Sequence, residues 1–236
     1  MIQKGILYLI PTTLGDTAET ADVIPVKIHT IINQIDEYIV ENEKSARHYL
    51  KKIGLQKPLQ GIILHPLNQH TPSQEIAGYL ASINSGKSIG IISEAGCPGV
   101  ADPGAEVVAI AHERNIKVVP LVGPSSILLS LMASGFNGQQ FSFNGYLPKE
   151  RAERIKKLKE LEKAAQKGQT QLFIETPYRN MHLLEDILTT CADTTSLCIA
   201  CDITLPGEFI KTRRVAEWKK QVPDIAKKPT IFLIYK

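Results

Sequence analysis

Between Ile89 and Ser126 the chain reads IGIISEAGCPGVADPGAEVVAIAHERNIKVVPLVGPSS. Two short β-branched runs, IGIIS and KVVPLV, each end in a turn rich in Gly and Pro. A helix-length segment separates them and another follows GPSS. This is a strand-loop-helix unit repeated back to back, the pattern of a parallel sheet with helices packed on it. Its loops fall where α/β proteins hold ligands, at the carboxyl ends of the strands. The pattern points to an enzyme that uses a small-molecule cofactor.

Strands and helices alternate through the rest of the first half. GILYLI reads as a strand buried on both faces, EYIV as a short β-rich one and GIILH as another strand. Helices are predicted over 20–34, with Pro25 early, over 44–53, closed by Gly54, and over 72–83, closed by Gly86. Asp102 is placed to cap the helix that follows IGIIS. The second half differs. FSFNGYL is a strand, 149–167 an amphipathic helix on Ile155, Leu158, Leu161 and Ala165, TQLFIE a strand and 179–191 a helix. SLCIACDI, EFIKTRRV and TIFLIYK then follow with one short helix among them, near 216–221, so antiparallel pairing is expected. Two α/β domains are predicted: residues 1–122 with a parallel sheet and residues 123–236 with a mixed sheet.

The 236 residues carry a formal net charge of +3, too little to mark a dedicated nucleic-acid module. No segment approaches the roughly 20 apolar residues of a membrane span. The apolar run in MIQKGILYLIP is too short for a signal peptide and reads as the first strand. The four cysteines lack a disulfide-framework spacing, which favours a reducing cytoplasm.

Several motifs have plain readings. Ser85-Gly86-Lys87-Ser88 imitates the end of a phosphate loop, but Ala81 stands where that loop needs Gly, and a helix precedes it. Cys198 and Cys201 form a CxxC inside a strand, where residues three apart face opposite ways; no metal site is expected. His65 and His70 flank a polar loop at a strand end, equally a turn or a substrate contact. The basic stretch 151–163 is interleaved with Glu and reads as a solvated helix face. Lys211, Arg213 and Arg214, on an exposed or edge strand, are somewhat better placed to meet an anion, with a solvated face as the leading reading. Three loops carry more weight because they recur at successive strand ends: Pro11-Thr12-Thr13-Leu14-Gly15-Asp16, Ala95-Gly96-Cys97-Pro98-Gly99 and Gly123-Pro124-Ser125-Ser126. Glycine there lets backbone approach a ligand without an intervening Cβ.

With the segments YLIPTTLGD, SEAGCPGVADPG, IKVVPLVGPSS, GYLPKERAER, FIETPYR and PTIFLIYK, these loops resemble the tetrapyrrole methylase superfamily of S-adenosylmethionine-dependent methyltransferases. The resemblance spans nearly the whole chain and lies closest to the branch that methylates a ribose 2′-oxygen of small-subunit ribosomal RNA. It implies the tetrapyrrole methylase fold, with the cofactor in a cleft between two α/β domains, and a homodimer. It implies cofactor contacts at Pro11, Leu14, Gly15, Cys97, Pro98, Val100, Ser125 and Ser126, with Pro206, Pro229 and Thr230 from the second domain. Glu41, Glu175 and Arg179 are the candidate catalytic residues; Asp16 is a further carboxylate near the predicted cleft. Arg47 and Arg179 are the candidate phosphate holders. Many relatives carry Asp where this chain has Cys97. A Glu-Asp-Thr-Arg segment of the ribosomal RNA branch is replaced by Glu41-Asn42-Glu43-Lys44, and a His-Glu-rich loop by HPLNQHT.

Methyl transfer needs a nucleophile aligned behind an electrophilic methyl group, and a hydroxyl nucleophile needs a base. An RNA ribose is the leading acceptor. A tetrapyrrole or other small molecule is the alternative acceptor, and a degenerate homologue that binds the cofactor without catalysis the alternative role. A nucleotide-hydrolysing protein would rest on SGKS alone.

Overall fold

The computed structural model describes residues 4–68 and 70–236. Met1–Gln3, at the head of the first apolar run, and Gln69 of the HPLNQHT loop lie outside them. The chain divides into two compact units, Met1–Ser125 and Ser126–Lys236.

In order, the first unit contains β1 (Ile6–Ile10), α1 (Thr20–Val23), α2 (Lys27–Ile32), β2 (Glu37–Val40), α3 (Glu43–Lys52), β3 (Ile63–Pro66), α4 (Ser73–Tyr79), β4 (Ile89–Ile92), α5 (Gly104–Glu113) and β5 (Lys117–Pro120). The five strands form a parallel sheet in the order β3-β2-β4-β1-β5. Alternation along each strand sends side chains to two separate cores. Tyr38, Val40 and Ile92 pack with Ile28, Ile32, Ala46 and Leu50 on one face. Ile39, Ile89 and Ile91 pack with Ile76, Leu80, Val107 and Ala111 on the other. Helices therefore cover both faces, and the continuous apolar strands follow from that double burial. On β4, Gly90 sits opposite Tyr38. A Cβ there would lie 2.7 Å from Ile10 Cδ1 and 2.8 Å from Tyr38 Cδ1, so the tyrosine ring takes the space a side chain would fill. The buried Tyr38 hydroxyl donates to Ile32 O at 2.8 Å.

The helix predicted over 20–34 is two short ones. Ile24 is extended (φ −112°, ψ 119°) because the ring of Pro25 disfavours helical backbone in the residue before it. The segment 72–83 is likewise α4 followed by a tight turn over Ala81–Ser85 that closes on Gly86 at φ +90°. Gly86 thus belongs to a helix-to-strand turn, and Ser88 Oγ accepts the Ile6 N–H at 3.1 Å.

The second unit contains α6 (Ser126–Ser134), β6 (Phe141–Tyr146), α7 (Arg151–Gln166), β7 (Thr170–Ile174), α8 (Asn180–Thr190), β8 (Ser196–Cys201), β9 (Phe209–Arg214), α9 (Val215–Trp218) and β10 (Thr230–Tyr235). Its sheet is mixed, in the order β6-β7-β10-β8-β9; β6 and β7 run parallel and the remaining neighbours antiparallel. The buried stripe of α7 is Arg154, Leu158, Leu161 and Ala165. Arg154 is tolerated there because Asp186 of α8 accepts from its Nη2 at 2.6 Å and from its Nε at 2.8 Å. Arg151 reaches the same carboxylate from the surface at 2.8 Å. Cys201 joins the core under α7 and α8, whereas Cys198 faces the other side of β8. Burial pushes the Cys191 thiol up to about 12 and that of Cys198 up to about 11.

Candidate active site

The carboxyl ends of β1, β4 and β5 are adjacent in the first sheet, and their turns are bonded to one another. The Thr12 N–H donates to Gly96 O at 2.9 Å and its hydroxyl to Ser93 O at 3.3 Å. The Cys97 thiol donates to Pro124 O at 3.4 Å. Gly123 passes so close to Pro11 that a Cβ would stand 2.2 Å from Pro11 Cβ, and Gly96 takes φ +72°. These two positions need glycine. Pro11 is held from below: its carbonyl accepts the buried Tyr49 hydroxyl of α3 at 2.6 Å. Lys52, a turn further along, donates to Asp16 O at 2.6 Å and Ala18 O at 2.7 Å and so ties down the rest of the loop.

The structure thus brings Pro11, Leu14, Gly15, Cys97, Pro98 and Ser125 onto neighbouring turns at one edge of one sheet. Val100, half exposed, sits on the loop that follows Cys97. That loop is pinned by Asp102 Oδ1, which accepts from Gly99 N at 2.7 Å and Gly104 N at 2.8 Å. The N-cap expected at Asp102 falls one residue later, at Pro103, while the Asp102 carboxylate still accepts the first helical N–H and closes the loop before the helix.

Glu41 follows β2 at the same edge, where its Oε1 accepts from Glu94 N at 3.3 Å. Burial raises its pKa above the usual carboxylate value, and the charges of Asp102 and Glu94 add to the rise. Burial likewise raises Asp102 against the pull of its two N–H donors. Glu94 accepts the Ser45 hydroxyl at 2.6 Å. A cavity of about 440 Å³ opens here, lined by Thr12–Asp16, by Asn42, Lys44, Ser45, His48 and Tyr49 of the α3 region, and by Ile92–Ala95. Its size suits a small organic ligand. The sequence reading missed Ser93, Tyr49, Lys52 and Glu94, whose roles arise from contacts between segments far apart in the chain.

In the second unit, Glu175, Arg179, Pro206, Pro229 and Thr230 gather at one end of the mixed sheet, where β7 and β8 finish and β10 begins. The buried Glu175 carboxylate accepts from Arg179 Nη2 at 2.5 Å and from Thr176 N at 2.7 Å. Lys227 N donates to Pro177 O at 3.1 Å, Asn180 Nδ2 to Lys228 O at 2.6 Å, and Asp202 N to Pro229 O at 2.9 Å, joining the three loops. Asp202, Thr204 and Lys227 all take positive φ, between 51° and 66°. Among the described residues four buried side-chain polar atoms have no hydrogen-bond partner, and Arg179 Nε, Asn180 Oδ1 and Thr204 Oγ1 are three of them. Positive φ angles and unpartnered buried polar atoms thus coincide at this end of the sheet. Ser126 is the first residue of α6, which packs on β9 and β10.

The two expected phosphate holders both make contacts within their own units. Arg47 donates to Leu59 O at 3.2 Å and pairs with Glu43 at 3.4 Å; Arg179 pairs with Glu175 through Nη2 while its Nε stays unpartnered. His65 stacks on Tyr79 with ring centroids 4.7 Å apart and lies 3.5 Å from the buried Glu37, so it packs against the unit.

The family model for tetrapyrrole (corrin/porphyrin) methylases matches residues 12–218. A Synechocystis protein named ribosomal RNA small subunit methyltransferase I is 32% identical over 200 residues, 85% of this chain and 67% of its own length. The Vibrio cholerae protein of the same name is 30% identical over 212 residues, 90% of this chain and 69% of its own length. Among solved structures, the methyltransferase CobJ shares the fold with a TM-score of 0.64 at 16% identity, covering 98% of this chain and 94% of that one. The chain belongs to the tetrapyrrole methylase family. By that membership it is a methyltransferase.

Proposed function

We propose that this protein transfers a methyl group from S-adenosylmethionine to a ribose 2′-oxygen of small-subunit ribosomal RNA. The observation that carries the reading is the extended similarity, 28–32% identical over most of the chain, to proteins named for small-subunit ribosomal RNA methylation. In this reading Pro11, Leu14, Gly15, Cys97, Pro98, Val100 and Ser125 of the first unit, and Ser126, Pro206, Pro229 and Thr230 of the second, hold the cofactor. The glycine-cleared turns around Gly123 and the unpaired Arg179 Nε, Asn180 Oδ1 and Thr204 Oγ1 support a polar organic ligand at these loops. When bound, the cofactor supplies an electrophilic methyl group on sulfonium.

The chain's own residues have the remaining tasks. The interlocked turns hold the geometry, which accounts for much of the acceleration in a displacement of this kind. Glu41, with its raised pKa and one free carboxylate oxygen, takes the proton from the acceptor hydroxyl. Glu175 is unsuited to that role because its carboxylate is buried and bonded to Arg179 and Thr176. The Glu175–Arg179 pair instead orders the loops that meet at Lys227–Pro229. A ribosomal RNA acceptor goes with a cytoplasmic location. A homodimer belongs to the same reading, and light scattering tests it.

The decisive experiment supplies methyl-labelled cofactor with small ribosomal subunits, total RNA and a tetrapyrrole in parallel. Alkali-resistant label in RNA is the expected result. Label in the tetrapyrrole alone, or no transfer despite calorimetric cofactor binding, refutes it in favour of a small-molecule enzyme or a non-catalytic homologue.

A further inference from the structure

The cavity beside α3 has a chemistry of its own. Lys44 and His48 lie one turn apart on one face of α3, and both line it. Neither makes an ion pair or a side-chain hydrogen bond among the described residues. The other groups around them are already satisfied. Lys52 is spent on the carbonyls of Asp16 and Ala18, and Glu94 holds the Ser45 hydroxyl. The N-terminus of α3 is closed by Asn42 Oδ1, which accepts from Lys44 N at 2.9 Å and Ser45 N at 3.2 Å. An anion here must therefore be met by side chains and not by the helix end. Across the same lining Asp16 offers carboxylate oxygens, the acceptors that a ribose hydroxyl seeks.

Resting on the RNA reading above, we propose that this cavity receives one nucleotide of the single-stranded RNA acceptor. Its phosphate lies between Lys44 and His48, and its sugar lies toward the β1 turn. The site shares Leu14 and Gly15 with the loops assigned to the cofactor, so a nucleotide held here sits next to the reacting one. An unpaired lysine and a histidine able to donate an N–H, on one helix face with a sugar-sized recess beside them, suit a backbone phosphate better than a free metabolite. A free nucleoside monophosphate, which brings one phosphate and no neighbouring chain, binds weakly by comparison.

The test measures binding of a fluorescein-labelled single-stranded RNA 12-mer by anisotropy across a salt titration, for the full chain and its variants. Lys44→Gln is compared with Lys51→Gln, which removes the same charge from the same helix outside the cavity. The expected result for Lys44→Gln is about tenfold weaker binding, the loss of one charge-assisted contact. Its logarithmic salt slope should shrink by about 0.7. Lys44→Arg should restore both, His48→Gln should weaken binding in the same direction, and Lys51→Gln should change little. Competition by uridine monophosphate should require far higher concentrations than competition by unlabelled RNA. If Lys44→Gln behaves like Lys51→Gln while the wild type still binds and methylates RNA, the nucleotide site is wrong and the RNA reading stands. If the wild type binds no RNA, both fall.

Discussion

Gly123 offers the sharpest test of how the turns are built. Replacing it by alanine places a carbon 2.2 Å from Pro11 Cβ and 2.3 Å from Pro11 Cγ. Carbon–carbon contact is comfortable from about 3.5 Å, so one of the two turns must retreat by roughly 1.3 Å. Pro11 cannot yield freely, because its carbonyl is held by Tyr49 and the next residue is bonded to Gly96. The strain is that of an overpacked core, about 1–3 kcal/mol, which corresponds to roughly 3–10 °C in Tm. The displaced turns are those assigned to the cofactor, so affinity for S-adenosylmethionine should fall at least about tenfold for a shift of this size. Differential scanning calorimetry reads the first effect and isothermal titration the second. Gly138→Ala is the control, since a Cβ there meets open space. A Gly123→Ala protein with unchanged Tm and unchanged cofactor affinity would refute the close-approach argument.

Other outcomes follow from the same geometry. Glu41→Gln should lower the transfer rate by about 10²–10⁴-fold without loss of cofactor affinity, as for removal of a general base; single-turnover kinetics with calorimetry separates the two. Because burial raises the Glu41 pKa, the wild-type rate should climb with pH through that raised value and then level off, and this limb should vanish in the glutamine variant. The linked stability has a fixed sign: the folded state holds the Glu41 proton more tightly, so its contribution is full below the unfolded pKa and lost as pH rises through the folded one. Glu41→Gln should therefore be no less stable than wild type at neutral pH, by urea titration. Tyr49→Phe strands the Pro11 carbonyl and should cost about 1–2 kcal/mol in denaturant unfolding. Asp186→Ala leaves Arg154 buried without its carboxylate and should cost about 3–5 kcal/mol in the same assay. Of the four thiols only Cys97 is not fully buried, so it should be the first to react with a thiol probe on the native protein.

Most of the fold is legible in the chain because its signals are local. Continuous apolar runs such as GILYLI and IGII become strands buried on both faces, and the late strands lacking long crossovers become antiparallel. Pro25 shows where period alone misleads: the apolar spacing over 20–34 is helical, but the proline breaks the backbone at Ile24. The turns at the carboxyl edge are legible from Gly and Pro, since those residues report backbone geometry directly. What braces them is not. Tyr49 and Lys52 reach Pro11 and Asp16 across more than thirty residues, and on sequence alone they are one aromatic and one lysine of an amphipathic helix. Arg47 is the converse case: its type suggests a phosphate contact, and the fold turns it to Leu59 O. The catalytic assignments of Glu41, Glu175 and Arg179 depend on which carboxylate is free, and only hydrogen-bond geometry separates them.

The strand order carries a consequence for biosynthesis. Among the described strands β1 leaves the ribosome before the others, yet the strands it pairs with are β4 and β5, from Ile89 and Lys117 onward. At translation speeds of about 5–20 residues per second, Ile6–Ile10 waits roughly 4–20 s for its first hydrogen-bonded neighbour. During that interval an uncovered ILYLI is a natural substrate for a chaperone. Depleting chaperones should therefore harm nascent protein more than it harms refolding of the finished chain from denaturant, where all five strands are present from the start.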